Sequence, residues 1–144
     1  MKTLRYATDL YNAIELKYWA QWYLEVLPKG VGTLVVRGSS GISLASAMCT
    51  LSTRPLNFVA LRKPGESAHS AAYAGTFPHE RNAHLAIVDD FIQTGATIEA
   101  IKRGLVDYGK LHLLKYIIVS HVDSGYVSDP EIAEIIELEG GVRG

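Results

Sequence analysis

His84–Ile101 reads HLAIVDDFIQTGATIEAI, and the parsing of that stretch decides the fold. Leu85 to Val88 is a short, uninterrupted apolar run of the kind expected in a strand buried on both faces. It stops at two adjacent carboxylates, Asp89 and Asp90. Thr94-Gly95-Ala96-Thr97 then makes a turn, and a helix is predicted from about Thr97 to Tyr108.

The same alternation recurs on either side. Thr33–Arg37 (TLVVR) has the pattern of a strand, Gly38–Gly41 (GSSG) of a turn, Ile42–Ser52 of a helix and Pro55–Arg62 of a second strand. Leu85–Asp89 and Leu113–Ser120 supply a third and a fourth. Apolar strands alternating with helices predict an α/β, doubly wound domain, with a mainly parallel sheet covered by helices on both faces. Asp129 as a cap and Pro130 at the first helical position predict a last short helix through about Glu139. Lys63–Asn82 carries little apolar patterning and much Gly, Ala, Ser, His and Pro, so a long loop is expected there.

Near the N-terminus, Thr8 and Asp9 are plausible helix starters, and the run to Leu27 ends before Pro28, Gly30 and Gly32. Its apolar residues surround the helix. Leu10, Ile14, Tyr18 and Trp22 mark one stripe, while Leu16, Trp19, Tyr23 and Val26 spread over the far side. Such a helix should be covered twice, by its own sheet and by a partner subunit or a bound ring, unless a few aromatics simply remain exposed.

A length of 144 residues with 48% apolar content suits one domain with a full core. Fourteen Lys plus Arg against 15 Asp plus Glu produce no positive field, so neither nucleic acid nor an anionic membrane is an expected partner, and any anion must be held locally. The single cysteine, Cys49, lies in an apolar helical pattern and rules out an internal disulfide. No run approaches the ~20 apolar residues of a membrane helix, and no secretory h-region opens the chain, which fits a cytoplasmic protein.

In a sheet of this kind ligands bind outside the carboxyl ends of the strands. Four segments leave those ends: 37–41, 62–82, 89–97 and 121–126. On the third, Gly95 permits close backbone approach, Thr94 and Thr97 offer hydroxyls, and the next helix aims unpaired amides and its positive dipole end at the turn, so a dianionic phosphate fits. Asp89 and Asp90 would repel a phosphate pressed against them. They can instead accept hydrogen bonds from sugar hydroxyls, or hold a metal ion bridging hydroxyls and other phosphates. The pairing points to a sugar phosphate. Taken singly, Asp-Asp before Thr-Gly more often caps a helix, GSSG is more often a plain turn, and Arg62-Lys63-Pro64-Gly65 opens an ordinary surface loop as often as a lid. Their coincidence at one sheet edge is what argues for a site. The histidines add little: His79 and His84 are one residue too far apart for a zinc-protease pair, and no structural metal is expected.

These residues closely resemble the type I phosphoribosyltransferases. Leu85–Thr97 (LAIVDDFIQTGAT) is similar to the family's phosphoribosyl pyrophosphate signature, Val35–Gly41 (VVRGSSG) stands where its pyrophosphate loop does, and Val59–Ser67 (VALRKPGES) resembles the flexible-loop opening of adenine phosphoribosyltransferases. The resemblance spans about residues 34–120. It implies a single domain over 1–144, with an N-terminal helix or small hood in 1–30 and a flexible loop in 63–82.

The same resemblance implies roles. Asp89 and Asp90 would bind the ribose hydroxyls, Gln93 to Thr97, through Ala96, the 5′-phosphate, and Arg37, Gly38, Ser39 and Ser40 the pyrophosphate. Arg62 and Lys63 would close over the pyrophosphate as the catalytic cations, and Mg²⁺ would ride on pyrophosphate and ribose oxygens near Asp89 and Asp90. The implied reaction transfers ribose 5-phosphate to a nucleobase in nucleotide salvage, in a homodimer. Gln93 stands where 6-oxopurine enzymes carry an aspartate and cannot take a proton, so an adenine-like base is favoured. Tyr6, Trp22 and Tyr126 are the rings available to stack on it. The alternative is a phosphoribosyl pyrophosphate-binding regulator or scaffold without turnover.

Overall fold

Each apolar run becomes a strand of one sheet because both of its faces can be covered. A computed structural model describes residues 12–62, 73–79, 83–123, 126 and 131–139. In chain order the elements are α1 (Ala13–Val26), β1 (Val31–Arg37), α2 (Ser39–Leu51), β2 (Asn57–Leu61), β3 (Tyr73–Ala74), β4 (His84–Val88), β5 (Phe91–Ile92), α3 (Ala96–Asp107), a short 3-10 turn (Leu111–Leu113), β6 (Leu114–Val119), β7 (His121–Val122) and β8 (Glu134–Glu137). Six strands form the main sheet in the order β3-β2-β1-β4-β6-β8, and β5 pairs with β7 in a separate ribbon. All described pairings are parallel except that of β3 with β2.

Side chains along the central strands alternate between two cores, as the two-residue period of a strand requires. Leu34, Val36, Ala86, Val88 and Ile118 pack with Trp19, Tyr23, Leu44 and Met48 of α1 and α2. Val35, Leu85, Ile87, Ile117 and Val119 pack with Ile98, Ile101 and Leu105 of α3 on the opposite face. The doubly wound α/β architecture is therefore the observed one. Among the described residues no helix is long and apolar enough to cross a membrane.

Four local expectations need correction. The last helix expected through Glu139 is instead an edge strand, in which Tyr116 to Val119 align with Glu134 to Glu137. Ile135 and Ile136 are too short an apolar run for periodicity to separate helix from strand, and the open edge of β6 decides the matter by offering unpaired backbone groups. Residues 127–130, with the proposed cap, lie outside the described residues. The GSSG turn is narrower than expected, because Ser39 and Ser40 already belong to the first turn of α2. The segment expected as a plain loop contains β3, and Tyr73 and Phe77 pack edge to face at 4.9 Å. Finally, Asn12 caps α1 by accepting from the amides of Ile14 and Glu15; Thr8 and Asp9 lie outside the described residues.

α1 is covered on one side, with Trp19, Ala20 and Tyr23 buried, while Ile14 is 79% exposed. α2 lies close on the sheet: a Cβ at Gly41 would stand 3.1 Å from Val36 Cβ and 3.3 Å from the Val88 carbonyl oxygen. Gly41→Leu is therefore expected to cost about 1–3 kcal/mol by overpacking, seen as a lower denaturation midpoint at unchanged slope.

Candidate functional site

The two central strands break at one level. β4 ends at Val88 and β6 at Val119, and pairing is carried across the break by Asp89 N–H to the Ile118 carbonyl (3.1 Å) and Ser120 N–H to the Asp90 carbonyl (2.8 Å). Beyond it, β5 and β7 continue as a two-stranded ribbon, Phe91 opposite His121 and Ile92 opposite Val122. The carboxylate pair occupies the break itself.

Each carboxylate is pinned by the next amide. Asp89 Oδ1 accepts from Asp90 N–H (2.9 Å) and Asp90 Oδ1 from Phe91 N–H (2.8 Å), local bonds that short acidic side chains make readily where a strand is interrupted. From behind, the Tyr23 hydroxyl donates to the Asp89 carbonyl oxygen at 2.7 Å, tying α1 to the break. Burial holds the Tyr23 phenol well above its usual pKa, reinforced by the negative charges of Asp90, Asp89 and Glu139. At neutral pH Tyr23 is thus a neutral donor. A tyrosine on the inner side of an over-apolar helix had to find a partner for its hydroxyl, and that was the only sequence signal for this role.

The Thr94–Thr97 turn follows directly. Gly95 is left-handed at φ 82°, its carbonyl accepts the Glu99 amide at 2.9 Å, and Thr94 Oγ1 accepts from Ala96 N–H at 3.2 Å. A Cβ at Gly95 would also run into the Tyr126 ring. Tyr126 therefore flanks the turn, with its hydroxyl 3.4 Å from Glu99 Oε2, and Glu99 in turn pairs with the nearly buried Lys102 at 3.2 Å. Burial above all raises the Tyr126 phenol pKa. Trp22, another candidate stacking ring, lies flat on Trp19 at 5.1 Å; Tyr6 lies outside the described residues.

Across the crevice, α2 begins in the same way. Gly38, at φ 88°, accepts the Ile42 amide at 3.1 Å and has no side chain to cap the helix. α2 and α3 thus both start on glycine, with their first amides turned toward one space. That space is a cavity of about 270 Å³ lined by Arg37–Ser40, Asp89–Asp90 and Phe91–Ile98. It brings together Arg37, Gly38, Ser39, Ser40, Asp89, Asp90, Gln93, Thr94, Gly95, Ala96 and Thr97. Arg62 follows β2 and does not line this cavity; its Nε is buried with no hydrogen-bond partner among the described residues. Lys63 lies outside the described residues.

Sequence reasoning missed Ser120, Glu137 and Glu139. Ser120 is fully buried, and its hydroxyl donates to the Glu139 carboxylate; Glu137 Oε2 accepts the Val122 amide at 2.6 Å. Reading the tail as a helix hid both contacts.

No protein-family model matches the chain, and no curated protein matches it by sequence. Solved structures do. An orotate phosphoribosyltransferase from Aeropyrum pernix superposes with a TM-score of 0.69 at 13% identity, over 94% of this chain and 76% of that one. An adenine phosphoribosyltransferase from Thermoanaerobacter pseudethanolicus superposes at 0.67 and 18% identity, over 96% and 87%. A hypoxanthine-guanine-xanthine phosphoribosyltransferase reaches 0.51 at 13% identity, over 95% and 79%. At such identities the likeness is one of fold, and it extends to enzymes named for several different bases.

Two outcomes follow from the geometry. Tyr23→Phe is expected to cost about 0.5–1.5 kcal/mol at neutral pH through the lost hydroxyl bond. Because the folded-state pKa of Tyr23 is raised, its contribution is complete below about pH 10, the unfolded value, and is lost as pH rises toward the folded one. The wild type should therefore lose stability above pH ~10 more steeply than Tyr23→Phe in denaturation midpoints measured across alkaline pH. Gly95→Ala should destabilise the fold by about 1–3 kcal/mol. Adding Tyr126→Ala should recover only part of this, because the collision is removed while the left-handed backbone remains.

Proposed function

We propose that this chain, which has the type I phosphoribosyltransferase fold, transfers ribose 5-phosphate from phosphoribosyl pyrophosphate to a nucleobase, with an adenine-like purine favoured. The observation that carries this reading is the single cavity in which two glycine-started helices flank a buried carboxylate pair. Two anion sites with a diol-binding pair between them match a sugar bearing a phosphate on one end and a diphosphate on the other. The preference for an adenine-like base rests on Arg62-Lys63-Pro64-Gly65 and on Gln93, which has no carboxylate to offer a ring N–H.

In the proposed reaction the bond between the sugar's anomeric carbon and the diphosphate breaks, a base nitrogen bonds to that carbon, and the proton of that nitrogen passes to water or to the departing diphosphate. Asp89 and Asp90 orient the ribose through its hydroxyls. The Thr94–Thr97 turn and the start of α3 anchor the 5′-phosphate, while Arg37 and the α2 amides take charge as it develops on the departing diphosphate. Among the described residues no three acidic, histidine or cysteine groups converge. Mg²⁺ takes one or two carboxylates together with substrate phosphates; Asp89 and Asp90 would hold it, and it would supply neutralising charge to the leaving group. The proposed setting is cytoplasmic nucleotide salvage, by a homodimer in which a second subunit covers the exposed side of α1 around Ile14 and Tyr18.

One observation favours a second reading, a phosphoribosyl pyrophosphate-binding regulator without turnover: among the described residues Arg37 is the sole cation lining the cavity. Pyrophosphate release, measured with Mg²⁺ against adenine, hypoxanthine, guanine, xanthine, uracil, orotate and nicotinamide, separates the two. Release with adenine is expected, and Asp90→Asn should lower kcat/KM about 10- to 100-fold through the lost charged hydrogen bond. Silence across the panel, with phosphoribosyl pyrophosphate still raising the Tm, would establish the regulator instead.

A further inference from the structure

Glu137 lies outside the cavity lining, yet its carboxylate reaches the segment that pairs with the lining strand β5. Its Oε2 accepts the Val122 amide at 2.6 Å and stands 3.5 Å from His121 Nδ1. The Glu139 amide donates to the Ser120 carbonyl at 2.7 Å, and the Ser120 hydroxyl donates to the Glu139 carboxylate. Residues 120–122 are therefore clasped on one side by the end of β8. On the other side they pair with Asp90, Phe91 and Ile92.

β5 is the two-residue link between the carboxylates and the Thr94–Thr97 turn. A ribbon of two residues per strand does not hold itself together in water, so its position must be imposed from outside. An exposed Glu–His ion pair would contribute little, but the Glu137 side chain is only 27% exposed and its shorter bond goes to a backbone amide. We propose that Glu137 is a positioning residue: by bracing β7 against β5 it sets where the phosphate turn stands relative to Asp89 and Asp90. Its consequence for ligand binding rests on the sugar-phosphate reading above. The bracing of the ribbon does not.

The test uses the full chain as wild type, Glu137→Ala, Glu137→Gln and Glu134→Ala, the last removing an exposed acid from the same strand. Amide hydrogen exchange is followed in peptides covering 91–97 and 119–123, and ribose 5-phosphate with Mg²⁺ is titrated calorimetrically. Glu137→Ala is expected to speed exchange in both peptides and to weaken ribose 5-phosphate about tenfold, the scale of one charged hydrogen bond. Glu137→Gln keeps an oxygen for the Val122 amide and should restore most of both; Glu134→Ala should change neither. Unchanged exchange at 91–97 in Glu137→Ala would overturn the proposal, as would a rise spread evenly over the whole chain. Local acceleration in a protein whose wild type ignores ribose 5-phosphate would uphold the brace and sink the sugar-phosphate reading.

Discussion

A parallel strand buried on both faces has to change character where it meets water, and here the change is a bend. β4 gives up its apolar sequence at Asp89, and the pairing with β6 survives only because backbone bonds reach across the interruption. Everything functional is measured from that point. The carboxylates are deep, at 7% and 9% exposure, because the strand that carries them is central. They stay ordered because each is tied to the following amide.

Three supports converge on the bend from parts of the chain distant in sequence. Tyr23 holds the Asp89 carbonyl from α1, Gly41 lets α2 lie against Val88, and the β8 end secures the ribbon beyond. Each is local chemistry: a hydroxyl needing a partner, a missing Cβ, an acid facing an amide. Their common effect is to hold two helix starts and two carboxylates around one cavity.

The parts of the fold legible in the sequence were those written in local patterns. Continuous apolar runs such as Leu85–Val88 and Ile117–Val119 can be covered only between helix layers, so the doubly wound sheet followed from them. Gly95 and Asp89-Asp90 were legible because backbone conformation and charge at a strand end admit few explanations. Contacts made across the fold were illegible. Tyr23 meets Asp89 from 66 residues away, and Glu137 became relevant only once its segment proved to be a strand. The helix expected as far as Glu139 gave way over Glu134–Glu137 to pairing with the edge of β6, which local propensity could not anticipate.

The glycine starts of α2 and α3 have a thermodynamic side. α1 is closed by its own Asn12, whereas the other two helices leave part of their capping to whatever fills the crevice. On the sugar-phosphate reading, a bound anionic ligand would be a structural component in reversible supply. One present at 100 times its Kd adds about 2.7 kcal/mol to a fold whose total margin is of order 5–15 kcal/mol. The lifetime of such a protein in a cell, set by how often it opens to proteases, would rise and fall with the concentration of the molecule it binds.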